Sequence, residues 1–327
     1  MTGPLTGPAG AVGESAECGR PPSARAAPWP SVSAVVATRN RPALLERAVR
    51  SIVGQSYPGE LECVVVFDQS EPAAVPVDVP AGRRLRMVTN TRTPGLAGAR
   101  NTGIAAGRGA LVAFCDDDDE WDAGKLLLQV GQLEDSGAEF VASGVRIHHS
   151  GRVVVRVPPG LVGLRQLVRE RVTALHPSTF VIRREALAHM GPVDEGIPGS
   201  YGEDYDWLLR AARRMPIVAV RRPLADVYWH EQSFFAEHWT AVADALAYLL
   251  DKYPELRADR YGMARIEGQI AFAQAALAHR PAACRASWRA LCGNPLERRA
   301  YLALAVAFGV IPATSIVRAA NRHGRGI

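Results

Sequence analysis

The sequence predicts an α/β fold in which a largely parallel sheet becomes mixed and is followed by a region of helices. From residue 31, short β-branched runs alternate with segments of helical periodicity, the pattern of βαβ units. Acidic residues stand directly after two of the runs, and beyond Trp239 the pattern is almost entirely helical. The predicted organisation is a disordered leader at 1–30, a catalytic-type domain at 31–238 and a helical region at 239–327.

The amino-acid composition excludes several classes of protein. With 48% hydrophobic and 22% charged residues, the chain is neither wholly disordered, collagen-like nor a polytopic membrane protein. Its net charge of +5 permits attraction to anionic ligands or lipid headgroups, and no nucleic-acid partner is expected. Five scattered cysteines form no CxxC pair, which favours a reducing compartment. Because the Gly- and Pro-rich leader lacks the regions of a signal peptide, a cytoplasmic location is expected.

The elements of the domain are predicted from apolar runs and their breakers. The run SVSAVVAT predicts a buried first strand, and Pro42 falls in the first turn of the helix after it. Apolar runs on either side of Ser150-Gly151 predict a hairpin, where the sheet becomes mixed. The predicted strands lie at 31–38, 61–67, 85–89, 110–115, 140–147 and 153–157. The predicted helices begin at Asn40 or Arg41, at Pro94-Gly95 and at Lys125, with C-terminal helices at 239–250, 264–278, 283–291 and 301–311.

Four consecutive aspartates, Asp116 to Asp119, follow the predicted strand at 110–115. Neighbouring carboxylates repel one another, and a divalent cation is the usual compensation. Asp116 and Asp118, at alternate positions, could direct two carboxylates to one Mg²⁺ or Mn²⁺. A solvated loop is the alternative interpretation, but ligands of open α/β sheets bind beyond the carboxyl ends of strands. An EF-hand is excluded because Trp121 stands where the loop glycine is required.

Further candidate residues lie outside the acidic run. Asp68, directly after the second strand, could accept a hydrogen bond from a nucleobase or sugar, or could only form a turn. Glu203 and Asp204 begin a predicted helix, where a carboxylate could be a general base or could only cap the helix. Arg100 could face a diphosphate or form a structural ion pair. His230 could be a metal or phosphate ligand, or a structural histidine.

Five segments, in their order and spacing, resemble glycosyltransferase family 2, a class of inverting enzymes. The resemblance covers about 31–230 and implies the GT-A fold, a Rossmann-like mixed sheet of nucleotide-diphospho-sugar transferases flanked by helices. The matching segments are SVSAVVATRNRPALLERAVRSIVGQSY, CVVVFDQS, GLAGARNTGIAAGRGALVAFCDDDDEW, HPSTFVIRREAL and GEDYDWLLRAARR.

The resemblance also implies roles for individual residues. The nucleotide sugar is expected to contact Thr38, Arg39, Asp68, Arg100, Asp116 and Asp117. The cation, Mn²⁺ or Mg²⁺, is expected to be held by Asp118 and Asp116, with His230 as a further ligand. Asp204 is implied as the catalytic base with Glu203 beside it, and His176 and Trp207 are expected on the acceptor side. Many members of the family have two adjacent Asp residues after the second strand. Asp68 matches the second of them, and Phe67 stands in the place of the first.

The implied reaction is a single displacement. A cation would stabilise charge on the leaving diphosphate, and Asp204 would deprotonate the attacking hydroxyl of a glycan, lipid-linked or small-molecule acceptor. An α-linked donor would therefore give a β-linked product. Two alternatives stay open: a nucleotidyltransferase of sugar phosphates, and a non-catalytic nucleotide-sugar-binding protein on the same scaffold.

The apolar, arginine-flanked stretch at 301–317 admits several interpretations. It could lie in a membrane interface, which would place the protein on the inner face of the cell membrane. It could equally pack on the catalytic domain or form a homodimer contact.

Overall fold

The computed structural model describes residues 28–229 and 238–322, so most of the predicted leader, and His230, lie outside the described residues. The strands are β1 (Val32–Thr38), β2 (Leu61–Phe67), β3 (Arg83–Thr89), β4 (Leu111–Asp116), β5 (Glu120–Trp121), β6 (Phe140–His149), β7 (Arg152–Arg156), β8 (Leu161–Val162), β9 (Val181–Arg183) and β10 (Ile217–Tyr228). The helices are α1 (Pro42–Val53), α2 (Leu96–Ala106), α3 (Lys125–Ser136), α4 (Leu164–Arg169), α5 (Arg184–Met190), α6 (Glu203–Ala212), α7 (Trp239–Lys252), α8 (Pro254–Ala258), α9 (Arg260–Ala276), α10 (Arg280–Gly293), α11 (Arg298–Ala307) and α12 (Ala313–Arg322). Short 3₁₀ helices lie at Pro177–Thr179 and Pro198–Ser200.

The strands form one mixed sheet in the order β3-β2-β1-β4-β9-β6-β10-β5, with β7 beside β6 and β8 beside β10. Strands β3, β2, β1 and β4 are parallel, and β9 runs antiparallel between β4 and β6. The predicted hairpin of β6 and β7 is present. The mixed α/β sheet expected from the sequence is therefore confirmed.

Two apolar cores lie on the two faces of the sheet. Alternate residues of β1 point to opposite faces, so Val35 joins the core under α2 and α6, whereas Ala34 and Val36 join the core under α1 and α3. This double burial explains why the parallel strands are continuous apolar runs in the sequence.

Helix α2 lies unusually close to the sheet because it is built from small residues. A Cβ atom on Gly103 would overlap the side chain of Val35, and one on Gly98 would overlap the backbone of Thr93. The close approach brings Arg100 of the same helix to the end of β4, where it forms an ion pair with Asp116.

The C-terminal helices pack on α6 and extend the core of its face of the sheet. Trp239 contacts Phe272 edge to face, the Arg265 guanidinium donates to the Tyr205 hydroxyl at 2.6 Å, and the Tyr253 hydroxyl donates to Asp206 Oδ1 at 2.6 Å. The domain boundary near residue 238 stays a prediction. No helix in the described ranges is long and apolar enough to cross a bilayer.

Lys125 is a fully buried lysine whose Nζ has no hydrogen-bond partner among the described residues and lies 4.0 Å from the centroid of the Trp121 ring. Burial lowers its pKa from 10.5 to about 7. The unfolded state therefore binds more protons between pH 7 and 10.5, so this residue makes the fold less stable at pH 7 than at pH 10.

We predict that Lys125→Met raises the free energy of unfolding at pH 7 by about 1–3 kcal/mol, because it removes an unpaired buried amine. The gain should shrink as the pH approaches 10, which urea unfolding at several pH values would measure. Lys252→Met is the control and should destabilise, because Lys252 pairs with buried Asp206 at 2.5 Å. A loss of stability in Lys125→Met would contradict the prediction and indicate a charged amine stabilised by Trp121.

Candidate active site

The carboxyl ends of β2, β1 and β4 bring two of the predicted motifs together. Thr38 pairs with Phe67 across β1 and β2, and Ala37 pairs with Asp116 across β1 and β4. Asp68 and the acidic run therefore flank the end of β1, on the edge where open α/β sheets bind ligands.

Asp68 is held by donors from three segments. Its carboxylate accepts hydrogen bonds from the Asn90 amide at 2.8 Å, the Gln69 amide at 2.9 Å and the Gly95 backbone N–H at 3.1 Å. Burial opposes ionisation, but these donors and the charge of exposed Arg39 lower the pKa of Asp68. The carboxylate is ionised at neutral pH and is available as an acceptor at the crevice.

Two residues of the acidic run face the start of α1. Asp117 accepts from the Thr38 hydroxyl at 2.7 Å, and Arg41 lies 3.2 Å from Asp117 and 3.1 Å from Asp118. Burial, together with the charges of Asp116 and Asp117, raises the pKa of Asp118 to about 6 against the opposing effect of Arg41. Asp118 is the more open of the pair, with 21% of its side chain exposed against 8% for Asp117.

Asp119, Asp116 and His176 form a cluster that could hold a metal ion, with one ligand atom of each within 4.8 Å of the others. His176 Nδ1 lies 3.4 Å from Asp119, and its Nε2 lies 3.9 Å from Asp116. Asp119 is 2% exposed and accepts from the Ser178 hydroxyl at 2.5 Å and the Tyr228 backbone N–H at 3.3 Å.

The chemistry of these donors fits a hard divalent cation. Burial raises the pKa of Asp119 well above its ordinary value, and the neighbouring charges of Asp116 and Asp118 raise it further. Burial lowers the pKa of His176, which favours its neutral, ligating form. A cation would relieve the repulsion among the carboxylates, and carboxylate oxygens suit Mn²⁺ or Mg²⁺.

Arg100 joins the acidic run to α6. Its guanidinium donates to Asp116 Oδ1 at 2.7 Å and to Glu203, and only 4% of the residue is exposed. A buried arginine between two carboxylates is held by charge-assisted hydrogen bonds on both sides. From the sequence, Arg100 could either contact a diphosphate or form a structural ion pair. In this structure it forms two ion pairs.

Glu203 and Asp204 occupy the first turn of α6, where the helix dipole favours negative charge. Burial, together with the charges of Asp204 and Asp116, raises the pKa of Glu203 to about 7 although Arg100 opposes the shift. Burial opposes the ionisation of Asp204, but Arg171 donates to its two carboxylate oxygens at 3.0 and 2.8 Å, and the pKa of Asp204 is lowered. Two adjacent carboxylates therefore differ in their tendency to bind a proton.

Trp207 lies behind this pair rather than on the open side of the crevice. It is 2% exposed, packs edge to face on Phe114 with ring centroids 5.3 Å apart, and donates from Nε1 to the Gly191 carbonyl at 3.3 Å. Together with Phe114 and Phe180 it lines a small cavity that borders Arg100, Glu203 and Asp204. In this structure Trp207 supports the α6 carboxylates.

Sequence reasoning gave no role to Asp119, Arg171 or Ser178. Asp119 was grouped with the run as a whole, and only the fold shows that its carboxylate turns toward His176. Arg171 follows α4, a six-residue helix that was not predicted. Ser178 bonds both Asp119 and the Asp116 backbone N–H, at 2.5 and 3.0 Å, and no spacing rule links it to them.

The chain is similar in sequence to known proteins of one family. Residues 33–191 match the model of the family described as Glycosyl transferase family 2. The chain is 27% identical over 139 residues to the UDP-Glc:alpha-D-GlcNAc-diphosphoundecaprenol beta-1,3-glucosyltransferase WfgD of Escherichia coli, covering 42% of this chain and 55% of that protein. The chain thus spans about half the length of this curated relative.

Two solved structures share the fold. S. aureus TarS 1-349 in complex with UDP-GlcNAc superposes with a TM-score of 0.56 at 17% identity, covering 90% of this chain and 92% of that one. The mannosyltransferase PcManGT of Pyrobaculum calidifontis, in complex with GDP-Man and Mn²⁺, superposes with a TM-score of 0.54 at 20% identity, covering 88% and 82%. Residues 33–191 thus match glycosyltransferase family 2 in sequence, and the mixed sheet that they form with β10 shares the GT-A fold of these two structures.

Proposed function

We propose that the chain is an inverting, cation-dependent glycosyltransferase that moves a sugar from a nucleotide-diphosphate sugar to an acceptor hydroxyl. The observation that carries the proposal is the Arg100 bridge, which sets the α6 carboxylates beside the acidic run at the carboxyl edge of the sheet. Donor chemistry needs the acidic run and acceptor chemistry needs the α6 carboxylates, and a single displacement requires the two side by side.

Donor binding is assigned to the ends of β1, β2 and β4. The ionised Asp68 accepts hydrogen bonds from the nucleotide, and Thr38, Arg39 and Asp117 lie beside it on the same edge. TarS and PcManGT bind UDP-GlcNAc and GDP-Man respectively, and their likeness to this fold supports a nucleotide sugar as donor.

Asp116 and Asp118 are proposed to hold the cation. Asp118 has 21% of its side chain exposed. Burial and then the charges of Asp116 and Asp117 raise its pKa, and a cation would relieve the repulsion among these carboxylates. Asp119 is buried with both oxygens already hydrogen-bonded, to the Ser178 hydroxyl and the Tyr228 backbone N–H, so we assign it a structural role beside His176. When bound, the cation would supply Lewis-acid stabilisation of charge on the leaving diphosphate. His230 stays a predicted further ligand.

Asp204 is proposed as the base that accepts the proton of the acceptor hydroxyl. Arg171 keeps its carboxylate ionised and fixed in direction, which is the form that a base requires. Glu203, bound to Arg100, is proposed to hold that arginine toward Asp116. His176 lies between the two groups, on the proposed acceptor side. Attack opposite the departing diphosphate turns an α-linked donor into a β-linked product.

A lipid-linked acceptor is favoured over a free glycan or a small molecule. WfgD, by its name, acts on a diphosphoundecaprenol-linked sugar, and its similarity to this chain supports the same acceptor class. Such an acceptor is embedded in a bilayer, so the proposal includes peripheral contact with the cytoplasmic face of the membrane. The homodimer contact, one of the interpretations of 301–317, stays a prediction.

The proposal is tested by incubating the full chain with UDP- and GDP-sugars, Mn²⁺ and a GlcNAc-diphospho-lipid acceptor. We expect transfer with release of the nucleoside diphosphate, loss of transfer with EDTA, and a β-linked product by NMR. Asp204→Asn should lower transfer by at least about 100-fold and leave nucleotide binding unchanged. Asp244→Asn, an exposed acid on α7, is the matched control and should transfer normally.

Further outcomes separate the alternatives. Given a nucleoside triphosphate and a sugar 1-phosphate instead, formation of a nucleotide sugar with release of inorganic pyrophosphate would indicate a nucleotidyltransferase. A folded protein that binds no nucleotide with any metal would overturn the proposal, and full activity in Asp204→Asn would remove that residue as the base.

The cation assignment is tested by replacing neighbouring residues of the run. In thermal unfolding with UDP, Asp118→Asn should abolish the stabilisation that Mn²⁺ adds, because a ligand bound only by the folded state raises apparent stability. Asp119→Asn should keep a Mn²⁺-dependent shift although its basal Tm changes. The reverse result would assign the cation to the cluster of Asp116, Asp119 and His176.

A further inference from the structure

The outer side of α10 and α11 concentrates exposed apolar side chains. The three most exposed large apolar residues in the described ranges are here: Leu296 at 83%, Val310 at 72% and Trp288 at 71%. We call this region the α10–α11 surface. It consists of Trp288, Leu296, Tyr301, Phe308, Val310 and Ile311. Exposed apolar groups concentrated on two paired helices and at their ends indicate an interaction surface.

The backbone holds these side chains outward. Helices α10 and α11 run antiparallel, since the Tyr301 hydroxyl donates to the Pro295 carbonyl at 2.7 Å and the Arg280 guanidinium lies 4.2 Å from the Phe308 ring centroid. Gly309, with φ of 74°, ends α11, and the N–H of Val310 donates to the Ala305 carbonyl at 2.9 Å. This helix end normally buries the apolar residue after its glycine, but here Val310 is exposed.

Positive charge is concentrated in the same part of the chain. Residues 280–322 contain seven Arg and one Glu, a net charge of +6, whereas the rest of the chain has 31 basic and 32 acidic residues, a net charge of −1. The single glutamate, Glu297, is buried and accepts from the Arg299 backbone N–H at the start of α11. Arg285, Arg298 and Arg318 are exposed and form no ion pair with any described residue.

We propose that the α10–α11 surface binds the anionic headgroups of a lipid bilayer, with α10 and α11 lying in the plane of the interface. Trp288 and Tyr301 are the residue types that prefer the headgroup level, and Leu296, Phe308 and Val310 supply the apolar contact. The unpaired arginines supply the attraction to anionic lipid.

A second copy of the chain fits this surface poorly. A two-fold contact through the α10–α11 surface would bring the arginines of one copy against those of the other, with no exposed acid of residues 280–322 to pair with them. Charge complementarity therefore favours an anionic surface as the partner. Binding of this surface to lipid is inferred from exposure and charge. Its purpose, which is to bring the crevice to a lipid-linked acceptor, rests on the proposed function.

The test is co-sedimentation of the full chain with vesicles of phosphatidylcholine, with or without phosphatidylglycerol, in the absence of nucleotide. We expect binding that needs phosphatidylglycerol and weakens with salt. The double variant Leu296→Ala with Arg298→Gln should bind about tenfold more weakly or worse, since one arginine near an anionic surface alone is worth about fivefold. The matched control is Leu161→Ala with Arg165→Gln, another exposed leucine and arginine, which should bind as the parent does.

Circular dichroism establishes that each variant is folded. Failure to bind phosphatidylglycerol vesicles, or equal weakening in both double variants, would overturn the inference. Conversion of a dimer to a monomer by the α10–α11 variant in light scattering, without vesicle binding, would also overturn it in favour of self-association. Vesicle binding involves no transfer, so its outcome is independent of whether the proposed reaction occurs.

Discussion

The buried ion pairs of Arg100 are the interaction on which the site depends. A guanidinium that is 4% exposed must keep its acidic partners, because an unpaired charge at such a position is strongly destabilising. Its two partners, Asp116 at the end of β4 and Glu203 at the start of α6, lie 87 residues apart in sequence and belong to different layers. The close approach of the glycine-containing α2 to the sheet delivers Arg100 to this position, so the small residues of α2 help to determine the geometry of the crevice.

The two α6 carboxylates show how the local environment shifts the pKa values of neighbouring acidic groups in opposite directions. Glu203 and Asp204 are neighbours in one helical turn, yet the pKa of Glu203 is raised to about 7 and that of Asp204 is lowered. Burial acts on both, and the difference comes from the bidentate contact of Arg171 with Asp204. Arg171 therefore has two opposing effects on the proposed base: it keeps Asp204 ionised and oriented, and it reduces its basicity.

The fold was largely predictable because its determinants are local. Strands β1, β2 and β4 are apolar runs buried on both faces, and the helices of the first half carry clear periodicity. Strand β9 has only three residues, and β10 contains Arg221, Arg222 and Pro223 at an irregular stretch of its pairing, so neither shows a strand pattern. The acidic run and the α6 pair were predictable as candidates from spacing and resemblance. The partners of Asp119 and Asp204 were not, since Ser178 and Arg171 reach them only through tertiary packing.

We propose that the acidic run at the end of β4 holds a divalent cation against a nucleoside diphosphate. Anomalous diffraction from crystals grown with UDP and Mn²⁺ tests this cation site without relying on catalysis. One manganese peak is expected in contact with Asp118, between the run and the diphosphate. A nucleotide bound at the edge of the sheet without manganese near residues 116–119, or manganese bound away from the nucleotide, would contradict this cation site.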